Sequence, residues 1–397
     1  FEQSFLVKII LKSKVQLQFF SFYKCFENDV IFANNLIEDF NIKRILNMNQ
    51  KNLFILSFFT FYLLVQSCWS GKGKNIPDVS NIAVVVEIED FNQRLFNIDT
   101  NDIQSGIMSL RQDYPIFFNL YFSQIQPFLK SPELDNFFFN NTQNFLRDPD
   151  VRNLADTTKI VFSEFEKYKK EYEQGFKFYK HYFPNNSIPK IYPLISGFNY
   201  ASFIFPIDGQ KDGIGIGLDM LLGNNYPYWQ LGVQNPAFSN YITRSFTPEH
   251  LVKKTFDALA DDLVGLPQGD RLLDLMIYNG KKLYLLECFL PYTHDSIKWE
   301  YTTQQTEWIL DNEPQIWSYL LSEELIYETS TNKIKKLVDQ SPSSPGMPKE
   351  APGRTANFMG LRIIEAFMKQ NPNITVEQLL TTDAQKIMDK SKYKPNK

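Results

Sequence analysis

His250, Asp257 and Asp261 are the set of side chains in this sequence that comes nearest to a metal site. They are spaced seven and four residues apart, so in a helix over 248–263 they project from one face. Imidazole and carboxylate groups in such a set can bind a metal ion. Carboxylates on a helix face are commonly solvated, however, and the chain has only three histidines. We therefore predict no catalytic residue, no bound metal and no cofactor, and assign these three residues to a cleft or partner-binding surface.

Arg354 is a candidate for contacting an anionic group on a partner. It follows a Pro-Gly pair and precedes an apolar helix that carries Arg362 and Glu365 at i, i+3. In one interpretation Arg354 is tied to a carboxylate beside a tight turn. In the other it lies in a cleft and binds an anion.

Tyr228 and Trp229 lie in a turn-rich segment and are further candidates for a cleft. Exposed aromatic rings there would stack on a sugar or a peptide, whereas buried ones would pack against the sheet. Gly213, Gly215 and Gly217 alternate with isoleucine in a strand-like run. Since no helix carrying Lys-Ser/Thr follows them, they do not indicate a phosphate-binding loop.

Composition places the chain among ordinary globular proteins. Of its 397 residues, 43% are hydrophobic and 22% charged, and 36 Phe with 20 Tyr favour a well-filled core. The net charge of −4 provides no basic field, so we predict no nucleic-acid partner. Cys25, Cys68 and Cys288 are too few and too scattered for a disulfide framework or a zinc site.

The elements that would position these residues are helices before and after a small sheet. Alternating apolar residues predict a strand over 82–91, and further strand-like runs lie at 188–196, 201–207 and 213–221. Helices are predicted over 103–111, 115–125, 133–146, 158–182, 248–263, 271–289, 303–310, 314–328, 352–370 and 375–380. This order, with no clean linker, predicts one α+β domain over 82–397, mainly helical with a small sheet.

The N-terminal part of the sequence predicts export and lipid attachment. The first methionine is Met48, and we expect residues 1–47 to be translated upstream sequence or an over-extended gene. Residues 48–67 have the pattern of a signal peptide, because their apolar run from 53 to 65 is shorter than the roughly 20 residues that span a bilayer. The segment VQSC resembles a lipobox ending at Cys68, the predicted lipid-bearing residue, and 68–81 is predicted as a flexible tether.

Six segments stand in order along the remaining chain: KHYFPNNSIPKIYPLISGFNYA, GIGIGLDMLLGNNYPYW, LLDLMIYNGKKLYLLECFLP, TTQQTEWILDNEPQIWSYL, EAPGRTANFMGLRIIEAFM and SKYKP. Together they resemble the GldB family, the gliding-motility-associated lipoproteins of Bacteroidetes, over most of residues 82–397. The resemblance implies a lipoprotein of the outer membrane, linked to gliding and to the secretion machinery that accompanies it. It implies no particular biochemical activity.

That family is in turn similar to zincin-type metallopeptidases, in which a long helix and a small sheet precede a helix carrying HExxH. The two histidines of that motif bind zinc and the glutamate activates the bound water. Here the corresponding helix reads PEHLVKKTFDALADDL and lacks the motif, and Asn279-Gly280 stands where a Glu-Gly would supply the third ligand. The resemblance therefore implies a zincin-like arrangement without the peptidase chemistry.

The sequence thus predicts a lipid-anchored envelope protein that supports gliding motility, or assembly of the envelope and secretion machinery, through contacts with other envelope proteins and without catalysis. Two alternatives stay open: a divergent metal-dependent hydrolase, and a lipoprotein that binds a glycan or a peptide. The residues after Cys68, WSGKGK, have no early acidic cluster of the kind that resembles a surface-export signal. We therefore expect the domain to face the periplasm from the outer membrane.

Overall fold

The computed structural model describes residues 76–209, 211–233 and 235–395, and Pro77–Lys397 form one compact unit. The predicted upstream sequence, the signal peptide and Cys68 lie outside the described residues, as does the first part of the predicted tether. Residues 77–81 of that tether belong to the compact unit, and Val79 is buried in it.

Helices dominate the described residues on both sides of a small sheet. Before the sheet they are α1 (Phe91–Phe96), α2 (Ile103–Asp113), α3 (Pro115–Leu120, continued by a π-helical turn over Tyr121–Ile125), α4 (Asn136–Arg147), α5 (Pro149–Val161) and α6 (Phe165–Tyr182). After it come α7 (Trp229–Gly232), α8 (Asn240–Thr243), α9 (Leu251–Val264), α10 (Leu272–Phe289), α11 (Asp295–Trp299), α12 (Thr303–Asp311), α13 (Glu313–Ser322), α14 (Thr331–Val338), α15 (Thr355–Gln370), α16 (Val376–Thr381) and α17 (Ala384–Ser391). None of the helices in this part of the chain combines the length and the apolar character that a membrane span requires.

The sheet has three strands in the order β1 (Lys190–Leu194), β3 (Lys211–Gly217), β2 (Ser202–Asp208). β1 runs parallel to β3, and β2 runs antiparallel to it. The alternating glycines of β3 make room for aromatic rings of β2. A Cβ at Gly213 would lie 2.3 Å from Cζ of Phe205, and one at Gly215 would lie 2.2 Å from Cζ of Phe203. The α+β prediction, mainly helical with a small sheet, is confirmed, and the zincin-like arrangement stays a prediction.

Two predicted elements differ from the structure. The alternation over 82–91 does place Val86 inward, but the segment has only one bridge, between Ile88 and Ile191, and α1 begins at Phe91. The predicted helix over 158–182 is two helices, because the chain turns at 162–164 between α5 and α6. α5 begins at Pro149, where the side chain of Asp148 accepts hydrogen bonds from the first free backbone N–H groups.

The core consists of two clusters of buried apolar side chains that α10 connects. Its C-terminal residues, such as Phe289, belong to the cluster around the sheet, and its N-terminal residues, such as Met276, to the cluster of the later helices. α10 and α15 touch backbone to backbone: a Cβ at Gly360 would lie 1.8 Å from the carbonyl oxygen of Met276, and one at Gly280 would lie 2.4 Å from the carbonyl carbon of Gly360. Neither glycine therefore has room for a side chain.

Packing against α6 fixes the position of α9, the helix that carries Asp257 and Asp261 and directly follows His250. The ring of Phe256 packs on Phe176 with centroids 4.9 Å apart, and both side chains are fully buried. Burial of each such ring stabilises the fold by about 1.5–3 kcal/mol. Next to them, the hydroxyls of Tyr172 and Thr255 form a buried hydrogen bond of 2.8 Å. The opposite edge of α9 is thereby directed towards the segment that follows α11.

Candidate functional site

A buried ion cluster lies where α9 meets the end of α11. Lys253 and Asp257, one turn apart on α9, form an ion pair of 2.7 Å between Nζ and Oδ2. Nζ of Lys253 also lies 2.8 Å from Oε1 of Glu300, directly after α11. Lys254 forms a second ion pair with the same carboxylate. One lysine ammonium therefore bridges two carboxylates that come from different segments of the chain.

Glu300 is the central acid of this cluster. Its backbone is in the left-handed region, with φ of 56°, and its side chain is 5% exposed. Burial opposes ionisation, but Lys253, Lys254 and Arg354 outweigh it and hold the pKa of Glu300 well below its ordinary value. Gln340 donates a further hydrogen bond of 3.4 Å to Oε2. Glu300 is thus ionised and surrounded by donors.

Two arginines complete the cluster around Glu300. Arg354 lies 3.7 Å from Oε2 of Glu300, donates to the carbonyl oxygen of Trp299 at 3.0 Å and stacks over the ring of Tyr301. Arg244 donates to the carbonyl oxygen of Glu300 at 3.0 Å. Burial and the nearby charge of Arg354 lower the pKa of Arg244. Within the described residues, no carboxylate lies within ion-pair distance of Arg244.

Positive charge therefore exceeds negative charge in this cluster. It contains four cations, Lys253, Lys254, Arg244 and Arg354, and two carboxylates, Asp257 and Glu300. His250 adds no charge at neutral pH, because burial lowers its pKa to about 4, and its Nδ1 is hydrogen-bonded to the Thr247 hydroxyl at 2.9 Å. A surplus of partly buried cations is unfavourable unless an anion compensates it, so this arrangement indicates an anion site.

A cleft of ≈ 210 Å³ opens beside Arg244. It is lined by Asn224, Tyr226, Tyr228, Trp229, Asn240, Thr243 and Arg244. Trp229 is 61% exposed at the start of α7. The cleft thus combines one arginine, exposed aromatic surface and small polar side chains.

The structure brings some of the predicted site residues together and separates others. His250, Asp257 and Arg354 meet around Glu300. Asp261 does not join them: it is exposed and pairs with Lys282 on α10 at 2.7 Å. Arg354 lies near the carboxylate of Glu300, as the first of its sequence interpretations has it, whereas an anion bound by Arg354 in a cleft stays a prediction.

Tyr228 and Trp229 have different environments although they are adjacent. Tyr228 is 3% exposed, and its hydroxyl donates to the carbonyl oxygen of Asp219 at 2.7 Å and accepts from the backbone N–H of Leu222 at 2.9 Å. Its ring is therefore part of the core and not a surface for a ligand, although its ring neighbours, such as Phe246, lie outside the strands. Only Trp229 presents most of its ring to the solvent, as a stacking surface for a ligand would.

The arrangement of Lys253, Asp257 and Glu300 bears on the metal interpretation. Among the described residues, no group of three or more His, Cys, Asp or Glu side chains is placed to hold a metal ion. The two carboxylates that do converge have the ammonium group of Lys253 between them. A lysine charge thus occupies the position in which a cation would have to bind both acids.

Sequence reasoning missed Glu300, Arg244 and Lys253. No local pattern marks Glu300, which lies in a left-handed position after a short helix. Lys253 and Asp257 do stand at i, i+4, a spacing that predicts an ion pair. The spacing alone does not predict, however, that the pair is buried.

Comparison with known proteins gives one family. A family model described as "Gliding motility protein GldB" matches residues 72–395. Neither a curated protein nor a solved structure matches the chain.

Proposed function

Because this chain belongs to the GldB family of gliding motility proteins, we propose that it is a lipid-anchored protein of the cell envelope that supports gliding through contacts with other envelope proteins and catalyses no reaction itself. The family match covers most of the chain and includes all of the ion cluster. Lipidation at Cys68 would hold the domain at the membrane, since two or more acyl chains give stable attachment. We further propose that the membrane is the outer one and that the domain faces the periplasm.

The observation that carries the non-catalytic part of the proposal is the lysine between two carboxylates. A catalytic zinc needs three protein ligands and an open position for water. In this chain α9 offers Lys253 and Asp257 at the i, i+4 spacing, and Lys253 closes the pair by binding Glu300 as well. Such a closed ion cluster supports a scaffold that binds partners more than it supports metal-dependent hydrolysis.

The test combines metal content with anchoring. The full chain is purified without chelator and its zinc, manganese and iron are measured before and after addition of each metal. We expect far less than one metal per chain in every sample. One metal bound per chain, lost on the exchange Asp257→Asn, would overturn the non-catalytic proposal in favour of the hydrolase.

In cells, Cys68→Ser is expected to abolish incorporation of labelled palmitate and to release the protein from the membrane fraction. Gliding of the corresponding strain should fall to that of the deletion strain. Ser67→Ala, which keeps a small residue before the cysteine, is the matched control. Full gliding by an unlipidated, soluble protein would contradict the anchored role.

A second candidate, a lipoprotein that binds a glycan or a peptide, is favoured by one observation. The ring of Trp229 is exposed beside a cleft that also contains Arg244. This candidate is compatible with the first, because a peptide in the cleft would belong to a protein partner. A sugar bound there would instead point to an envelope glycan.

A further inference from the structure

We propose that the cleft beside α7 and α8 binds the C-terminal carboxylate of a peptide, with Arg244 as its anion-binding residue and Trp229 as the surface for the last side chain. The inference deepens the proposed function, on which it rests for the idea that partners are proteins. The residues that carry it are Arg244, Trp229 and the polar side chains between them. None of these was assigned by the family match.

The charge argument comes first. Arg244 uses one N–H for the carbonyl oxygen of Glu300, and Arg354 donates to the same oxygen at 3.4 Å. The Glu300 carboxylate is already engaged by both lysines of α9. Arg244 is half-buried, and its guanidinium has N–H groups left for an incoming anion. A carboxylate is the planar anion that a guanidinium binds through two parallel hydrogen bonds.

The polar lining of the cleft fits a peptide end. Asn224, Asn240 and Thr243 make no side-chain hydrogen bond with other described residues. Their amide and hydroxyl groups are able to donate to and accept from the backbone of a bound peptide. Asn224 and Asn240 are exposed, so they contact such a peptide without being desolvated in its absence. These three side chains would orient the peptide, while Arg244 would provide most of the affinity.

The size of the cleft favours a chain end over a chain interior. At ≈ 210 Å³ it is smaller than the roughly 300–1,000 Å³ of clefts that enclose whole small-molecule ligands. The last residue of a peptide presents a carboxylate and one side chain within a single residue, and capture of chain ends is a recurring recognition mode. An internal Asp or Glu would need space for the chain to enter and to leave. An oligosaccharide would leave the charge of Arg244 uncompensated.

The experiment uses the full chain in detergent and two matched pools of random pentapeptides, one with free carboxyl ends and one amidated. We expect the protein to retain peptides from the free-carboxyl pool, enriched in aromatic or aliphatic last residues. The amidated pool should show no enrichment. Equal enrichment from both pools, or none from either, overturns the proposal.

Variants then locate the site, using the most enriched peptide. Arg244→Gln should weaken its binding by about 10- to 100-fold, the range for losing hydrogen bonds to a charged group. Arg244→Lys keeps the positive charge but loses the planar guanidinium with its two parallel N–H groups. Its affinity for the peptide should therefore lie between that of the unaltered protein and that of Arg244→Gln. Lys369→Gln, which removes an exposed cation elsewhere, is the matched control and should change nothing. Equal binding by Arg244→Gln and by the unaltered protein overturns the proposal.

Trp229→Ala keeps the test decisive if Arg244→Gln does not fold. Because the ring is mostly exposed, its loss should leave the midpoint of urea unfolding unchanged, while the affinity for the peptide should fall by about tenfold. Tyr292→Ala, another exposed aromatic, is its control. Unchanged binding by Trp229→Ala overturns the placement of the last side chain. If the pools fail while Cys68→Ser still abolishes gliding, the cleft proposal falls and the proposed function stands.

Discussion

Lys298 and Glu300 are separated by one residue, yet they are the centres of two buried ion clusters of opposite design. Lys298 is a cation held by two carboxylates, Glu287 and Asp295, and Asp295 is 34% exposed. Glu300 is a carboxylate held by two lysines and an arginine. The first cluster is thus built around a cation and the second around an anion. The second also includes Arg244, which lines a cleft, and this is why it suggests a ligand.

The largest effect should come from the exchange Glu300→Gln. It removes the acid that three cations share, so that Lys254 and Arg354 lose their carboxylate and Lys253 keeps only Asp257. We expect a loss of about 3–5 kcal/mol in the free energy of unfolding, measured with urea. Lys254→Met, which removes one of several cations, should cost less than about 1 kcal/mol. Equal losses in the two variants would mean that charge surplus does not govern this cluster.

A smaller loss, about 3 kcal/mol, is expected for Lys298→Met. The exchange leaves the buried Glu287 without its lysine, although Trp299 still donates to that carboxylate at 3.1 Å. Adding Glu287→Gln keeps an acceptor for Trp299 and removes the charge, so the double variant should recover most of the stability. Lys333→Met, in an exposed pair with Glu328, is the control. A double variant as unstable as Lys298→Met would refute the electrostatic account.

The stability of the protein should depend on pH through His250, which lies beside the Glu300 cluster. Its pKa is near 6.5 in the unfolded chain and about 4 in the folded one, where burial opposes protonation. Below pH 6.5 the unfolded chain therefore binds a proton that the folded chain does not, and stability falls as the pH falls towards 4. The groups that face the ring are Thr247, Glu249, Lys253, Lys254 and Glu300.

Between pH 7 and pH 5 this term should amount to about 1–2 kcal/mol. His250→Asn, which can still pair with the Thr247 hydroxyl, should flatten that part of the stability curve. His181→Asn, at an exposed position, is the matched control. Parallel curves for His250→Asn and the unaltered protein would show that the imidazole is not desolvated.

How much of this was predictable depends on the range of the interactions. The alternation in β3 and the long, largely apolar run of α10 are local, and both elements lie close to their predicted ranges. The single helix predicted over 158–182 was wrong because the apolar spacing continues across the turn at 162–164, and its start was misplaced because the signal of Asp148 followed by Pro149 was not used. The strand over 82–91 was wrong because alternation identifies an inward face but not a partner.

The site was predictable only in part, for a physical reason. Arg354, Asp257 and His250 were singled out from sequence, but the residue that joins them is Glu300, in another segment. Ion pairs between distant segments leave no periodic trace, and the burial that strengthens them depends on the assembled core. Trp229 was a candidate together with Tyr228, and only the fold shows which of the two rings is inside.

The backbone contact between α10 and α15 has an evolutionary consequence. Gly280 and Gly360 have no room for even one methyl group, and α15 begins directly after Arg354. A larger residue at either glycine would force the helices apart and shift the start of α15 relative to Glu300. Lineages that preserve the charge cluster should therefore also preserve small residues at both positions, and lineages that lose these glycines should lose the cluster as well.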